Sequence, residues 1–213
     1  MKLWTQFVTG GLFRRLHLNH NLRLPRSGQS INLETTANLT IKSVSVESIR
    51  WFVNDEKIRR LRRDISQQLS FDGPIQISLQ PHCLHRIEEV DSITAFVDVL
   101  KHKKSLRKTR YYKRVSRRLL LGRKKGRYRD VDQWARAVSL EYAKIYTSIS
   151  ERGYLRFDQS VNSSTPSVAE AVTVCEFLDG SYGLVDGKHR LVAAISLGIA
   201  LIPVFIIGRQ SHT

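Results

Sequence analysis

Cysteine is scarce in this chain. Cys83 and Cys175 are the only two in 213 residues, too few for a disulfide framework, so a reducing, cytoplasmic setting is expected. Long apolar runs are missing as well: nothing approaches the ~18 consecutive apolar residues of a membrane-spanning helix. The opening segment Met1 to Phe13 is broken by Thr5, Gln6, Thr9, Gly10 and Gly11. It lacks the clean apolar centre and cleavage site of a signal peptide. The sequence has no Gly-x-x-x-x-Gly-Lys-Ser/Thr loop, no Gly-x-Ser-x-Gly elbow and no Cys-x-x-Cys pair. Their absence removes the commonest phosphate-loop, hydrolase and thiol-redox signatures.

Acidic residues are also few, 19 against 35 Lys and Arg, and the formal charge is +16. The imbalance is local. From Lys101 to Arg129 there are 15 Lys or Arg and no Asp or Glu. Such a field attracts polyanions: nucleic acid, an anionic membrane surface or an acidic glycan. The alternative is a solvated face neutralised by acidic neighbours such as Glu88-Glu89-Val90-Asp91. A 41% hydrophobic and 25% charged composition is enough to fold, and 213 residues can hold one domain with an appendage or two small ones.

The periodicities divide the chain into four stretches. Residues 1–40 form an irregular N-terminal arm, interrupted by Asn19, Asn21, Pro25, Gly28 and Asn32. Residues 41–100 form a small α/β region. Within it, 41–53 alternate as a strand, Asn54 caps a charged helix to about Leu69, and Ile75 to Leu79 alternate again. That helix carries Ile58, Leu61, Ile65 and Leu69 on one face, and Phe71-Asp72-Gly73-Pro74 makes a turn after it. Residues 101–139 form a basic helical extension, with Leu106, Tyr112, Val115 and Leu119 on one face and Gly122 at its end. Asp130 caps a second helix that buries Trp134, Val138, Tyr142, Ile145 and Ile149 before Gly153. This aromatic stripe reads as core rather than as a base-stacking surface.

The remaining stretch, 140–213, carries the most informative segment. A strand near Ala169–Leu178 turns through Asp179-Gly180-Ser181-Tyr182 into a strand at Gly183–Val185. Cys175 reads as a packed residue of the first of these. Gly187 then turns the chain into a helix from Lys188 to Leu197, closed by Gly198, and Ile199–Ile207 is a strand apolar on both faces. A helix start presents free N–H groups and a partial positive charge, and Gly187 permits close backbone approach. With Lys188, His189 and Arg190 added, the turn suits a phosphate. Arg190 offers a planar fork, His189 a short donor and Lys188 a mobile charge. Asp186 is placed to hold magnesium, to accept a proton from a hydroxyl, or to cap the helix. Glu151 and Arg152, near the end of the second helix, read either as reaching the same ligand or as a solvated helix end. Elsewhere, Pro81-His82-Cys83-Leu84-His85-Arg86 offers Cys83 and His85 as zinc ligands, but two ligands do not make a site.

Val185 to Ala194, followed by Leu197-Gly198 and Ile202-Pro203-Val204, resembles the phosphate-binding box of the ParB/sulfiredoxin-like superfamily. Ile145 to Tyr154 resembles its first box, a helix ending in Ser-Ile-x-x-x-Gly. The likeness covers residues 140–209, and a looser one to standalone ParB-like proteins runs from Leu106 to Tyr154. It implies an α+β fold: a C-terminal ParB/sulfiredoxin-like core with a mixed sheet and short helices, after the basic extension and a small strand-containing region. It implies that Gly187, Lys188, His189 and Arg190 hold the phosphates of ATP or another nucleoside triphosphate with Mg2+. Asp186 would then be catalytic or metal-binding, and His189 catalytic. The superfamily spans nucleotide hydrolysis with DNA partitioning, nucleases, sulfinic acid reduction and phosphorylation of free serine, so fold leaves function open. Lys188 stands where sulfiredoxin carries its cysteine, which excludes that activity. Only Gln210–Thr213 follow the box, so a helix-turn-helix partitioning role is not expected. The leading expectation is a phosphotransferase acting on a small hydroxyl compound or glycan. The alternatives are a DNA- or RNA-binding protein or nuclease gripping phosphates through 101–129, and a non-catalytic module whose bound nucleotide controls docking on an anionic membrane or a partner.

Overall fold

A computed structural model describes residues 40–66, 73–154 and 172–210, all within one compact unit. The expectations for 1–39, for Leu69, Phe71 and Asp72, and for 169–171 lie outside these residues. The described chain is mixed α/β, with seven strands in one mixed sheet and five helices.

Strand β1 (Thr40–Ser45) and strand β2 (Ile49–Val53) replace the single strand that alternation suggests over 41–53. Between them Ser45 accepts the Glu47 N–H, and the Ser48 hydroxyl donates to the Ser45 carbonyl at 2.6 Å. These local bonds turn the backbone through a short 3-10 helix and send the two strands to different parts of the sheet. Helix α1 (Glu56–Ser66) is capped by Asp55 rather than Asn54: Asp55 Oδ1 accepts the N–H groups of Lys57 and Ile58. Strand β3 (Ile75–Ile77) and strand β4 (Leu84–Arg86) follow.

Helix α2 (Asp91–Leu100) buries Ile93, Ala95, Phe96 and Leu100. Helix α3 (Arg110–Leu120) starts at Thr109, whose hydroxyl accepts the Tyr112 N–H, and buries Tyr111, Val115 and Leu119. Leu106 lies before it in a 3-10 turn, and Tyr112 is only half-buried, one position off the predicted face. Helix α4 (Val131–Arg152) is capped by Asp130, whose Oδ1 accepts the Gln133 N–H at 2.7 Å, and it ends at Gly153 as predicted. Its buried residues are Trp134 and Tyr142. Val138, Ile145 and Ile149 are half-buried.

Strand β5 (Val172–Glu176), strand β6 (Tyr182–Asp186), helix α5 (Lys188–Leu197) and strand β7 (Leu201–Gln210) complete the unit. The strand order is β1-β7-β5-β6-β2-β4, with β3 also paired to β7. Segments far apart in sequence therefore share one sheet. β1 lies antiparallel along the first half of β7, and β3 parallel along its end. Alternation along β7 feeds two cores. Ile202, Val204 and Ile206 pack with residues of α2, α3, α4 and α5, whereas Phe205 and Ile207 pack with Ile58 of α1. Helix α1 thus covers one face of the sheet and the other helices cover the opposite face. Cys175 is a buried member of the α1 core, and burial pushes its thiol up to about 12.

Candidate functional site

The β6–α5 turn is built as its glycine requires. Gly187 adopts φ 85°, a left-handed conformation that side chains resist, and forms the N-cap of α5. Its carbonyl accepts the N–H groups of Arg190 and Leu191, each at 3.0 Å. No side chain caps the helix. Asp186 does not fill that role, because its Oδ1 accepts the N–H of Gly187 itself at 2.7 Å. The start of α5 keeps a helix terminus suited to an anion.

The side chains around this turn come from four elements. Lys188 is half-buried, and burial first, then Lys125, disfavours its charged form; Glu141, Arg59 and Asp186 are also within electrostatic reach. It is therefore not the fully solvated lysine that its sequence position allows. His189 places Nδ1 3.0 Å from Glu141 Oε1 on α4, and its ring meets Tyr142 edge-on at 4.2 Å between centroids. Burial lowers the His189 pKa, with Glu141 pulling the other way. His189 thus brings a hydrogen-bonding ring to the turn rather than a third fixed cation. Arg190 is half-buried and within electrostatic reach of Tyr154, just past α4, whose hydroxyl is buried without a hydrogen-bond partner.

A residue that periodicity did not single out completes the cluster. Arg62 of α1 is 6% exposed, and its Nε donates to Thr173 Oγ1 on β5 at 2.9 Å. Its Nη2 lies 3.6 Å from Asp186 Oδ2. Thr173 and Asp186 are opposite one another in the β5–β6 ladder, next to a bulge, so the guanidinium meets both strands at the mouth of the turn. Burial disfavours the charged form of Arg62, Asp186 favours it, and Arg190 opposes it. One signal was legible in sequence: Arg62 stands four residues after Ile58, one helical turn along the buried face.

Cations from α1, the α3–α4 connection and α5 therefore converge on an uncapped helix start. A phosphate group would complement them, and the Asp186 carboxylate, 60% exposed, stands at the edge. Magnesium is commonly held by one or two carboxylates plus phosphate oxygens, a donor set that Asp186 and a bound nucleotide could supply. No group of three or more His, Cys, Asp or Glu among the described residues could hold a metal ion. At the zinc candidates, Cys83 is buried with Sγ 3.7 Å from Asp55 Oδ2, while His85 is exposed on β4. Glu151 and Arg152 are exposed at the end of α4.

The basic stretch is only partly neutralised. Arg114 pairs with Asp91 at 3.0 Å, Lys104 with Asp98 and Arg107 with Asp132, each at 2.9 Å. Arg114, Arg117, Arg118, Leu121 and Arg123 surround an open depression of about 300 Å³. No helix among the described residues is long and apolar enough to cross a membrane.

No family model, curated protein or solved structure matches the chain.

Proposed function

We propose that the β6–α5 turn binds the phosphates of a nucleoside triphosphate and that the protein is an ATP-dependent phosphotransferase. The supporting observation is the convergence of Arg62, Lys125, Lys188 and Arg190 around a left-handed glycine and an uncapped helix start. Arg190 and Lys188 would hold phosphate oxygens from α5 itself. Arg62, tied to Thr173, would fix Asp186 and add positive charge from the opposite side. The Tyr154 hydroxyl would gain in such a ligand the acceptor it lacks.

Magnesium held by Asp186 and the phosphate oxygens would neutralise charge developing on the transferred group. In the transfer, the bond between the terminal phosphorus and its bridging oxygen breaks, and a nucleoside diphosphate leaves. A new bond forms to the acceptor hydroxyl oxygen. The hydroxyl proton passes to a nearby base, for which Asp186 and His189 are the groups at hand. The acceptor class carried by the resemblance is a small hydroxyl compound or a glycan.

The test is calorimetric titration with each nucleoside triphosphate, with and without magnesium, followed by mass analysis of products with hydroxyl acceptors. Binding with magnesium is expected, and Arg190→Ala should abolish it while leaving the thermal transition in place. Absence of any nucleotide binding with magnesium present would refute the proposal.

A further inference from the structure

The end of α3 combines two features that a solvated helix end does not need. Leu120 and Leu121 are adjacent, and 84% and 66% exposed. Around them stand Arg117, Arg118 and Arg123, and the depression that these arginines share with Arg114 has Leu121 in its wall. Arg114 is tied to Asp91, and Arg118 Nε donates to the Lys124 carbonyl. Arg117 and Arg123 have no acidic partner among the described residues. The apolar face of the same helix, Tyr111, Val115 and Leu119, is already buried in the core. The leucine pair therefore extends past the core, outward from the end of the helix.

Charge alone would suit any polyanion, and the leucines narrow the choice. A single-stranded nucleic-acid surface stacks its bases on exposed aromatic rings. Here Tyr111 is buried and Tyr112 and Tyr128 are half-buried, so the large apolar side chains that stand fully exposed are the aliphatic Leu120 and Leu121. Aliphatic tips gain by entering hydrocarbon, and arginines around them gain from anionic headgroups at the same depth. We propose that the C-terminal tip of α3 docks on an anionic lipid bilayer, with Leu120 and Leu121 entering the acyl boundary and Arg117 and Arg123 meeting lipid phosphates. This surface is separate from the β6–α5 turn, and the proposal stands whether or not that turn binds a nucleotide.

The experiment is co-sedimentation of the full chain with vesicles of phosphatidylcholine alone and of phosphatidylcholine mixed with phosphatidylglycerol. Binding is expected to the mixed vesicles only, and to weaken with added salt. Leu120→Ser with Leu121→Ser should weaken it about tenfold or more, since two aliphatic side chains no longer enter the acyl region. Arg117→Ser with Arg123→Ser should weaken it about fivefold per charge removed. All four positions are exposed, so thermal melts of the variants should match the parent. Equal binding to neutral vesicles would overturn the proposal, as would mixed-vesicle binding indifferent to the leucine pair. So would a duplex or single-stranded oligonucleotide bound in place of vesicles, through the arginines and independently of the leucines.

Discussion

Arg62 gives the sharpest test of how this site is held, through a double-mutant cycle with Thr173. The guanidinium is almost fully buried, and Thr173, its hydrogen-bond acceptor at 2.9 Å, has no exposure at all. Arg62→Met keeps the length of the side chain but strands a buried hydroxyl. Thr173→Val takes the hydroxyl acceptor from the buried Arg62 Nε. Each should destabilise the fold by about 1–3 kcal/mol. Asp186 adds little to either figure, because its carboxylate is mostly exposed and 3.6 Å from the guanidinium. With both ends of this bond apolar, neither is left without the other, and the double variant should lose less than the two single variants together. A coupling energy follows, readable from urea denaturation with unchanged slope. Nucleotide binding should behave differently. It should be weakened in Arg62→Met and should stay weak in the double variant, because restored packing does not restore the charge. If the double variant is as unstable as the sum of the single ones, Arg62 and Thr173 are not a unit. If it binds nucleotide like the parent, Arg62 is outside the phosphate site.

Three further outcomes are expected of the fold. Gly183→Ala would place a Cβ 2.6 Å from Val53 Cγ2 and 2.9 Å from the Phe177 ring, so a loss of about 1–3 kcal/mol is expected in chemical denaturation. Asp130→Ala removes the acceptor for the Gln133 N–H and should cost about 1 kcal/mol, seen as a lower melting temperature. Burial holds the His189 pKa below its ordinary 6.5. Below pH 6.5 the unfolded chain therefore binds more protons at this residue than the folded one. Its contribution to stability should be complete above that pH and fall away with acidification, and His189→Gln should flatten the profile in that window.

The local features of the turn were legible in sequence because they are matters of single residues. Gly187 and Gly198 adopt the left-handed conformations their positions require, and α5 spans the residues between them. Asp130 and Gly153 bound α4 for the same reason. What escaped was non-local. The stretch 41–53 alternates throughout, and only hydroxyl bonds at Ser45 and Ser48 divide it, sending β1 to β7 and β2 to β6. Periodicity assigned no helix to 91–100, where α2 buries Phe96 in a stack against Tyr142. Arg62 is one of four arginines in the five residues 59–63, part of a charged helix. Its burial has meaning only once α1 lies over β5 and β6.

Lys125 has a consequence for the molecule as a whole. Its charge is opposed first by burial and then by Arg118 and Arg114, and it in turn opposes the charge on Lys188. The arginine depression and the glycine turn therefore share one intermediary that each finds repulsive. An anion seated at either would offset positive charge that also draws anions to the other, so filling one should weaken the other, by the same factor in both directions. The two sites can in this way report on one another through a single lysine.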